Sequence, residues 1–511
     1  MEIEHNLIHR FNAGDALRRS AARSPQQPAV HFLGRELNYA EFDAYANRVA
    51  RLLLKNGIGH GDAVAILATN SPEYAATLFA CARIGAVLVP VNLMFTPEDV
   101  DYVLEQTHAR ALLMDPPLAP KVRKPPPLSF LLDEGFRETV AGQDGGPVER
   151  FVSDSDPLLI VFTSGTTARP KGVVLNHLNF YAYLLASYAD YGLDRSWRYL
   201  LALPMFHIAG LVLTFSCFAS GCASIIVPLP KPELLLPSIT VGKANILALP
   251  ATVWVGLLQA PGIESADLSS LKRLFVFQYL PTPVFQRWRQ MTPHAEWVNC
   301  WGQTETTALG SATPSEELGQ MLAAPDPIGI QHLTLELRIV DEEMKDVAPG
   351  KPGEIVVRGP CVTSGYFEDP AANEALFRGG WHHTGDIAYR DEHGWLYFVD
   401  RKKDMIKSGG ENVSSQEVEE AIAQHAAVAE VAVVGLPDEY WIEKVVACVV
   451  PMPGTQPTEE DLLAHARSRL ASYKVPKQIY VMQEFPKNPT GKVLKRVLRE
   501  RLTEMAAGGA Q

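Results

Sequence analysis

Positive charge is scarce in this chain of 511 residues: 46 Lys and Arg stand against 58 Asp and Glu, a formal net charge of -12. Bulk attraction to nucleic acid is excluded, so a polyanionic ligand has to be met by a local concentration of basic groups. Cysteine is sparse as well. Cys81, Cys217, Cys222, Cys300, Cys361 and Cys448 form no C-x-x-C pair. Cys217 and Cys222 lie in an apolar stretch and read as core, not as metal ligands. Scattered thiols of this kind fit a reducing compartment. No uninterrupted apolar run reaches eighteen residues, so no membrane span is expected. The first thirty residues lack the apolar centre of a signal peptide. The expectation is a cytoplasmic protein. Two phosphate fingerprints are missing too. After Gly165 come five residues, none of them glycine, before Lys171, so the G-x-x-x-x-G-K-[ST] spacing fails. The glycine-rich "GIGHGD" at 57–62 precedes a strand instead of following one, and reads as a helix C-cap and turn.

What is present is an ordinary globular mix, 47% hydrophobic and 20% charged. The length allows two to four domains. "YAEFDAYANRVARLLLKNGI" puts Phe42, Tyr45, Ala46, Val49 and Leu52 at helical spacing, and Gly57 closes it. "DAVAILA" and "AVLVPV" read as strands around a helix "PEYAATLFACARIGA". This alternation predicts an α/β fold of layered, mostly parallel sheets with helices. The Pro-rich passage between Met114 and Arg150 reads as a loop. From about residue 330 the short strands "LTLELRIVD", "GEIVVRG" and "GWLYFVD" predict a small antiparallel or barrel-like subdomain. A helix from Gln416, two strands and a helix near 459–470 predict a small α+β C-terminal domain. The expected limits are 1–400, a hinge at 401–403, and 404–511.

One stretch carries chemistry. "TSGTTARPKG" at 163–172 follows the apolar strand "DPLLIVF". Thr163, Ser164, Thr166 and Thr167 offer hydroxyl donors, Gly165 lets a ligand approach the backbone, and Lys171 adds charge. A pyrophosphate group could be gripped and released there, and a polar surface turn would look the same. Further motifs follow in order: "LPMFHIAG" at 203–210, "NCWGQTE" at 299–305, "WHHTGD" at 381–386, "DRKKDMIKSGGENV" at 400–413 and "PKNPTGKVLKR" at 486–496. The six together, spanning nearly the whole chain, resemble the signatures of the adenylate-forming superfamily, in particular its acyl-CoA synthetases.

The resemblance implies a two-step ligase. A carboxylic acid is joined to AMP with loss of pyrophosphate, and a thiol then displaces AMP. ATP, Mg2+ and coenzyme A are the implied cofactors, with a small-molecule carboxylic acid as partner. By the same resemblance Glu305 is the metal ligand, with Thr166. Trp301, Gly302 and Thr304 line the nucleotide site, and Asp386 and Arg401 take the ribose. Lys492 bridges the acid and the α-phosphate. Residues 471–501 hold eight Lys or Arg and two Asp or Glu, a local +6 suited to a polyanion. Lys403 matches the hinge about which the small domain swings, which would bring Gly409 and Gly410 to line a pantetheine passage. His207 resembles the residue bordering the acyl carboxylate, although a His beside Phe also suits a core.

Two departures bear on the acid. "FQYLP" places Gln278, Tyr279 and Leu280 where the family commonly has smaller residues. Ala168 replaces a glycine in the phosphate loop. Trp254, Val255, Leu257 and Leu258 suit an acyl-pocket helix and a core helix equally. No acidic residue in 203–210 is available to pair an amine, which favours a fatty, aryl or bulky natural-product acid over an amino acid. The expected function is thus acyl-CoA synthesis. An acyl carrier protein in trans is the alternative acceptor, and a catalytically silent acyl or nucleotide binder is the alternative of another class.

Overall fold

The computed structural model describes residues 7–163, 169–277, 280, 282–313, 327–408, 411–487 and 493–508. Ser164, Gly165, Thr166, Thr167, Ala168, Gln278, Tyr279, Gly409, Gly410 and Lys492 lie outside them. The chain forms two compact units. One comprises Met1–Leu337 with Val357–His383, the other Arg338–Val356 with Thr384–Gln511.

Two sheets build the first unit. Seven strands run in space as Gly365–Tyr366, Lys171–Asn176, Pro157–Thr163, Val87–Pro90, Ala63–Leu67, Ala111–Met114 and Leu128–Leu131. The last five are parallel, while Pro157–Thr163 and Lys171–Asn176 form an antiparallel hairpin. Strands Ala63–Leu67, Val87–Pro90 and Ala111–Met114 are buried at every position, as befits strands with both faces covered. The second sheet has nine strands, with Arg198–Leu201, Ala223–Ile226, Ile246–Leu249, Arg273–Val276 and Glu296–Gly302 as its parallel centre.

Local chemistry sets the helix limits. Tyr39–Lys55 begins at a capping box in which Asn38 and Glu41 satisfy each other's backbone N–H groups. Gly57, at φ 78°, turns the chain out of it. Pro72–Ile84 starts on the Ser71 cap with proline in its first turn and stops at Gly85, φ 72°. The passage after Met114 is not all loop. It contains a 3-10 turn at Pro116–Lys121, the edge strand Leu128–Leu131 and helix Glu134–Ala141. The strand's alternating half-exposed pattern and the prolines before it masked the sheet pairing that fixes it.

A four-stranded sheet, Glu336–Val340, Gly353–Arg358, His382–Arg390 and Leu396–Arg401, accounts for the short strands after residue 330 and lies mostly in the second unit. A five-stranded sheet follows, centred on the long hairpin Val428–Asp438 and Ile442–Pro451. Alternate residues of that hairpin serve two cores. Val433, Val445, Ala447 and Val449 pack with Val418, Ile422 and Leu462, whereas Val434, Val446 and Cys448 pack with Phe485, Leu498 and Leu502. The period of two thus buries both faces beneath different helices.

All six cysteines are free and buried. Burial pushes every thiol up, to about 12 for Cys222, Cys300, Cys361 and Cys448. They are inert structural groups. Among the described residues no helix is long and apolar enough to cross a membrane.

Candidate active site

The hairpin Pro157–Thr163/Lys171–Asn176 closes the threonine-rich loop at its base, where Thr163 pairs with Lys171. Gly172 is required there: a Cβ would meet Ile160 Cγ2 at 2.7 Å. The outer edge of Lys171–Asn176 receives the short strand Gly365–Tyr366, and Phe367 N donates to Gly172 O at 2.7 Å. Two side chains of that returning segment reach Lys171. Its ammonium lies 3.1 Å from Asp369 Oδ2 and 5.0 Å from the centre of the Tyr366 ring.

Glu296–Gly302 carries the second group of expected residues. Trp301 is buried and pairs with Ser311 across the antiparallel neighbour Gly310–Ala312. Neither Gly302 nor Gly310 can be anything larger. A Cβ on Gly302 would sit 2.6 Å from Ala308 C, and one on Gly310 would run into the Trp301 ring. Thr304 is buried, and a single 3-10 turn, Thr304–Thr306, follows. Thr307 and Ala308 are then both left-handed, at φ 55° and 60°. The strain is held by Thr307 Oγ1 donating to Cys361 O at 2.6 Å and by Thr306 Oγ1 donating to Leu309 O. This turn presents Glu305 half-buried. Its Oε1 accepts the Tyr366 hydroxyl at 2.8 Å, and its backbone oxygen accepts Thr363 N at 2.7 Å. The structure therefore joins Lys171 and Glu305 through Tyr366, with Thr163 paired to Lys171 across the hairpin. Sequence reasoning missed Tyr366 and Asp369. "GYFEDP" does hold a legible helix start at Asp369–Pro370, but nothing local marks the tyrosine.

His207 caps helix Ile208–Ser220, with its Nδ1 accepting Ala209 N at 3.3 Å. Burial pushes its pKa down to about 4, so the ring is neutral near pH 7 and Nε2 carries the proton. The turn before it is set from afar. Buried Asn70 accepts Met205 N at 2.7 Å and donates to Leu203 O at 3.0 Å. Gly210 is obligatory, because a Cβ would lie 2.2 Å from Pro204 O. The apolar helix Ala251–Leu258 divides its roles: Trp254 and Leu257 are wholly buried in a core with Trp288 and Trp297, while Val255 and Leu258 are half-buried. Leu280 belongs to the same core.

In the second unit Asp386 and Arg401 face each other across adjacent antiparallel strands. Asp386 is buried and lies 3.6 Å from Arg401 Nε. Gly385, at φ 68°, makes the bend before it and donates its N–H to Glu354 at 3.2 Å. Lys403 is exposed, between Lys402, bound to Glu354 at 3.1 Å, and buried Asp404, bound to Arg499 at 2.9 Å.

The profile of the AMP-binding enzyme family matches residues 17–367, and that of the AMP-binding enzyme C-terminal domain matches 417–492. The chain belongs to the AMP-binding enzyme family. It is 34% identical over 501 residues to the fatty acid–[acyl-carrier-protein] ligase ScoC of Streptomyces coeruleorubidus, covering 94% of each chain. It is 34% identical over 492 residues to a feruloyl-CoA synthase of Amycolatopsis sp, covering 94% of this chain and 97% of that one. Its structure is similar to the ATP-bound crystal structure of MatB from Rhodopseudomonas palustris, with TM-score 0.88, 28% identity and coverage of 96% and 99%. Family membership makes the chain an AMP-forming acid–thiol ligase that uses ATP, magnesium and coenzyme A.

Proposed function

We propose that the acid is a fatty, aryl or bulky natural-product carboxylic acid without an α-amine, activated to acyl-AMP and passed to coenzyme A. The activation chemistry is carried by the Glu305 carboxylate held by Tyr366, whose ring also faces Lys171, and the acid class by the absence of an acidic residue from 203–210. Glu305 fits a magnesium ion, which takes hard oxygen ligands and keeps water, so one carboxylate with phosphate oxygens suffices. The ion would supply charge neutralisation on the triphosphate; Thr166 is its second candidate ligand. Thr163, Ser164, Gly165, Thr166, Thr167 and Lys171 grip the phosphates. Trp301, Gly302 and Thr304 form the nucleotide wall, and Asp386 with Arg401 takes the ribose hydroxyls.

In the first step a carboxylate oxygen attacks the α-phosphorus and pyrophosphate leaves with the bonding pair. Lys492 offsets the charge that develops between the two anions. His207, neutral at working pH, offers Nε2–H to the carboxylate without adding a full charge. In the second step the thiol gives its proton to solvent, its sulfur attacks the carbonyl, and AMP leaves with the bonding pair. Lys403 is the hinge between the steps, and Gly409 and Gly410 leave room for pantetheine. The reading puts the reaction in the cytoplasm, where pools of both ATP and coenzyme A would supply it. A carrier-protein thiol is the second reading of the acceptor, favoured by the similarity to ScoC.

ATP–pyrophosphate exchange with a panel of fatty, aryl and amino acids tests the acid class. Fatty or aryl acids should drive exchange, with an acyl-CoA mass appearing once coenzyme A is added. Exchange driven by amino acids alone would refute the reading.

A further inference from the structure

We propose that Tyr366 is a positioning residue that ties the metal-holding carboxylate of Glu305 to the phosphate lysine Lys171. The proposal rests on the roles given to those two residues above. Tyr366 is built to stay still. Its strand pairs with Lys171–Asn176, its N–H donates to Asn373 Oδ1 at 2.6 Å, and its carbonyl accepts Asn373 Nδ2 at 3.0 Å. With both backbone groups fixed, the side chain does two things. The hydroxyl donates to Glu305 Oε1 at 2.8 Å, which sets the plane of the carboxylate. The ring face lies 5.0 Å from the Lys171 ammonium, within range of a cation–π attraction.

Asp369 completes the arrangement. Its Oδ2 holds Lys171 at 3.1 Å while Oδ1 caps helix Pro370–Leu376 through Ala372 N at 3.0 Å. This ion pair is partly exposed, 27% and 36%, and pairs of that kind are weak. A triphosphate can therefore draw the ammonium away from Asp369 while Tyr366 stays held by Asn373. The carboxylate and the ammonium are thus set before the nucleotide arrives.

The full chain is titrated with Mn2+, followed by electron paramagnetic resonance, in the presence of α,β-methylene-ATP. Tyr366→Phe keeps the ring and the volume. It should raise the Mn2+ dissociation constant about tenfold, the loss of one hydrogen bond to a charged group. Its affinity for the analogue in EDTA should stay within about twofold, because the ring remains. Tyr366→Leu should weaken metal-free analogue binding as well, by about threefold. Circular dichroism melts check that each variant folds. An unchanged Mn2+ constant in Tyr366→Phe, with Glu305→Gln severely impaired, overturns the proposal alone. Undiminished Mn2+ binding in Glu305→Gln overturns the metal role of Glu305, and the proposal with it.

Discussion

His177 is wholly buried, and its Nδ1 accepts Ala13 N at 3.0 Å, which ties the start of helix Gly14–Arg23 to helix His177–Asp190. Desolvation lowers its pKa from 6.5 to about 4. Between those values the unfolded chain takes up a proton that the folded chain refuses. Stability is therefore fully present above 6.5 and falls as pH drops through that window, by at most about 3 kcal/mol from this group. His207 acts in the same direction. The His177→Leu variant should be about 1–2 kcal/mol less stable near neutral pH, having left Ala13 N unpaired. It should also lose much of the wild-type decline on acidification, as read by urea unfolding at about pH 4.5 and about pH 7.5. A decline as steep as wild type would show that other groups govern the acid limb. His177 gives no sign of this in the sequence, where "NHLNF" is simply a helix start. Its burial is decided by the 164-residue reach to Ala13.

At the scale of elements, the C-terminal helix Lys495–Gly508 follows the segment expected to carry the catalytic lysine, and its first residue is tightly bound. Lys495 Nζ lies 2.7 Å from Glu419 Oε1 and 2.6 Å from Ser415 Oγ. Ser415 in turn donates to Asp400 Oδ2, at 2.6 Å from its backbone and 2.7 Å from its hydroxyl. Glu419 also accepts Val433 N at 2.7 Å, and burial raises its pKa. Removing the lysine leaves a carboxylate that is costly to keep ionised. Lys495→Met should thus destabilise the chain by about 2 kcal/mol, with Glu419→Gln in the same chain recovering about half of it. A double-mutant cycle in urea measures the coupling, and additive losses would mean the pair is independent. "PTGKVLKR" shows the run of basic residues but not which of them is buried. Lys495 and Arg499 are claimed by Glu419 and Asp404, while Arg496 pairs, among the described residues, with Glu500 of its own helix.

For the whole molecule, the two half-reactions of the proposed mechanism make different demands on one chain: a lysine at the phosphate first, a thiol at the carbonyl afterwards. Under the proposed hinge at Lys403, Lys403→Pro, which freezes φ there and restricts Lys402, should slow thioester formation at least tenfold. Acyl-adenylate formation should stay within about threefold. Single-turnover assays of each step decide it, and equal losses would remove the hinge from this position. The sequence by itself determined the chemistry and the layer type. Hydrophobic period, helix caps and six short motifs are local properties of the chain, and they carry the α/β class, the helix Tyr39–Lys55 and the candidates Lys171 and Glu305. Only the tertiary structure decided which side chains meet. Tyr366 reaches Glu305 across 61 positions of sequence, Asn70 sets the His207 turn from 135 away, and the strand Leu128–Leu131 exists because Ala111–Met114 offers it an edge. Those contacts depend on which strands become neighbours, and that is settled by packing and loop closure over the whole chain, which no short stretch of residues encodes.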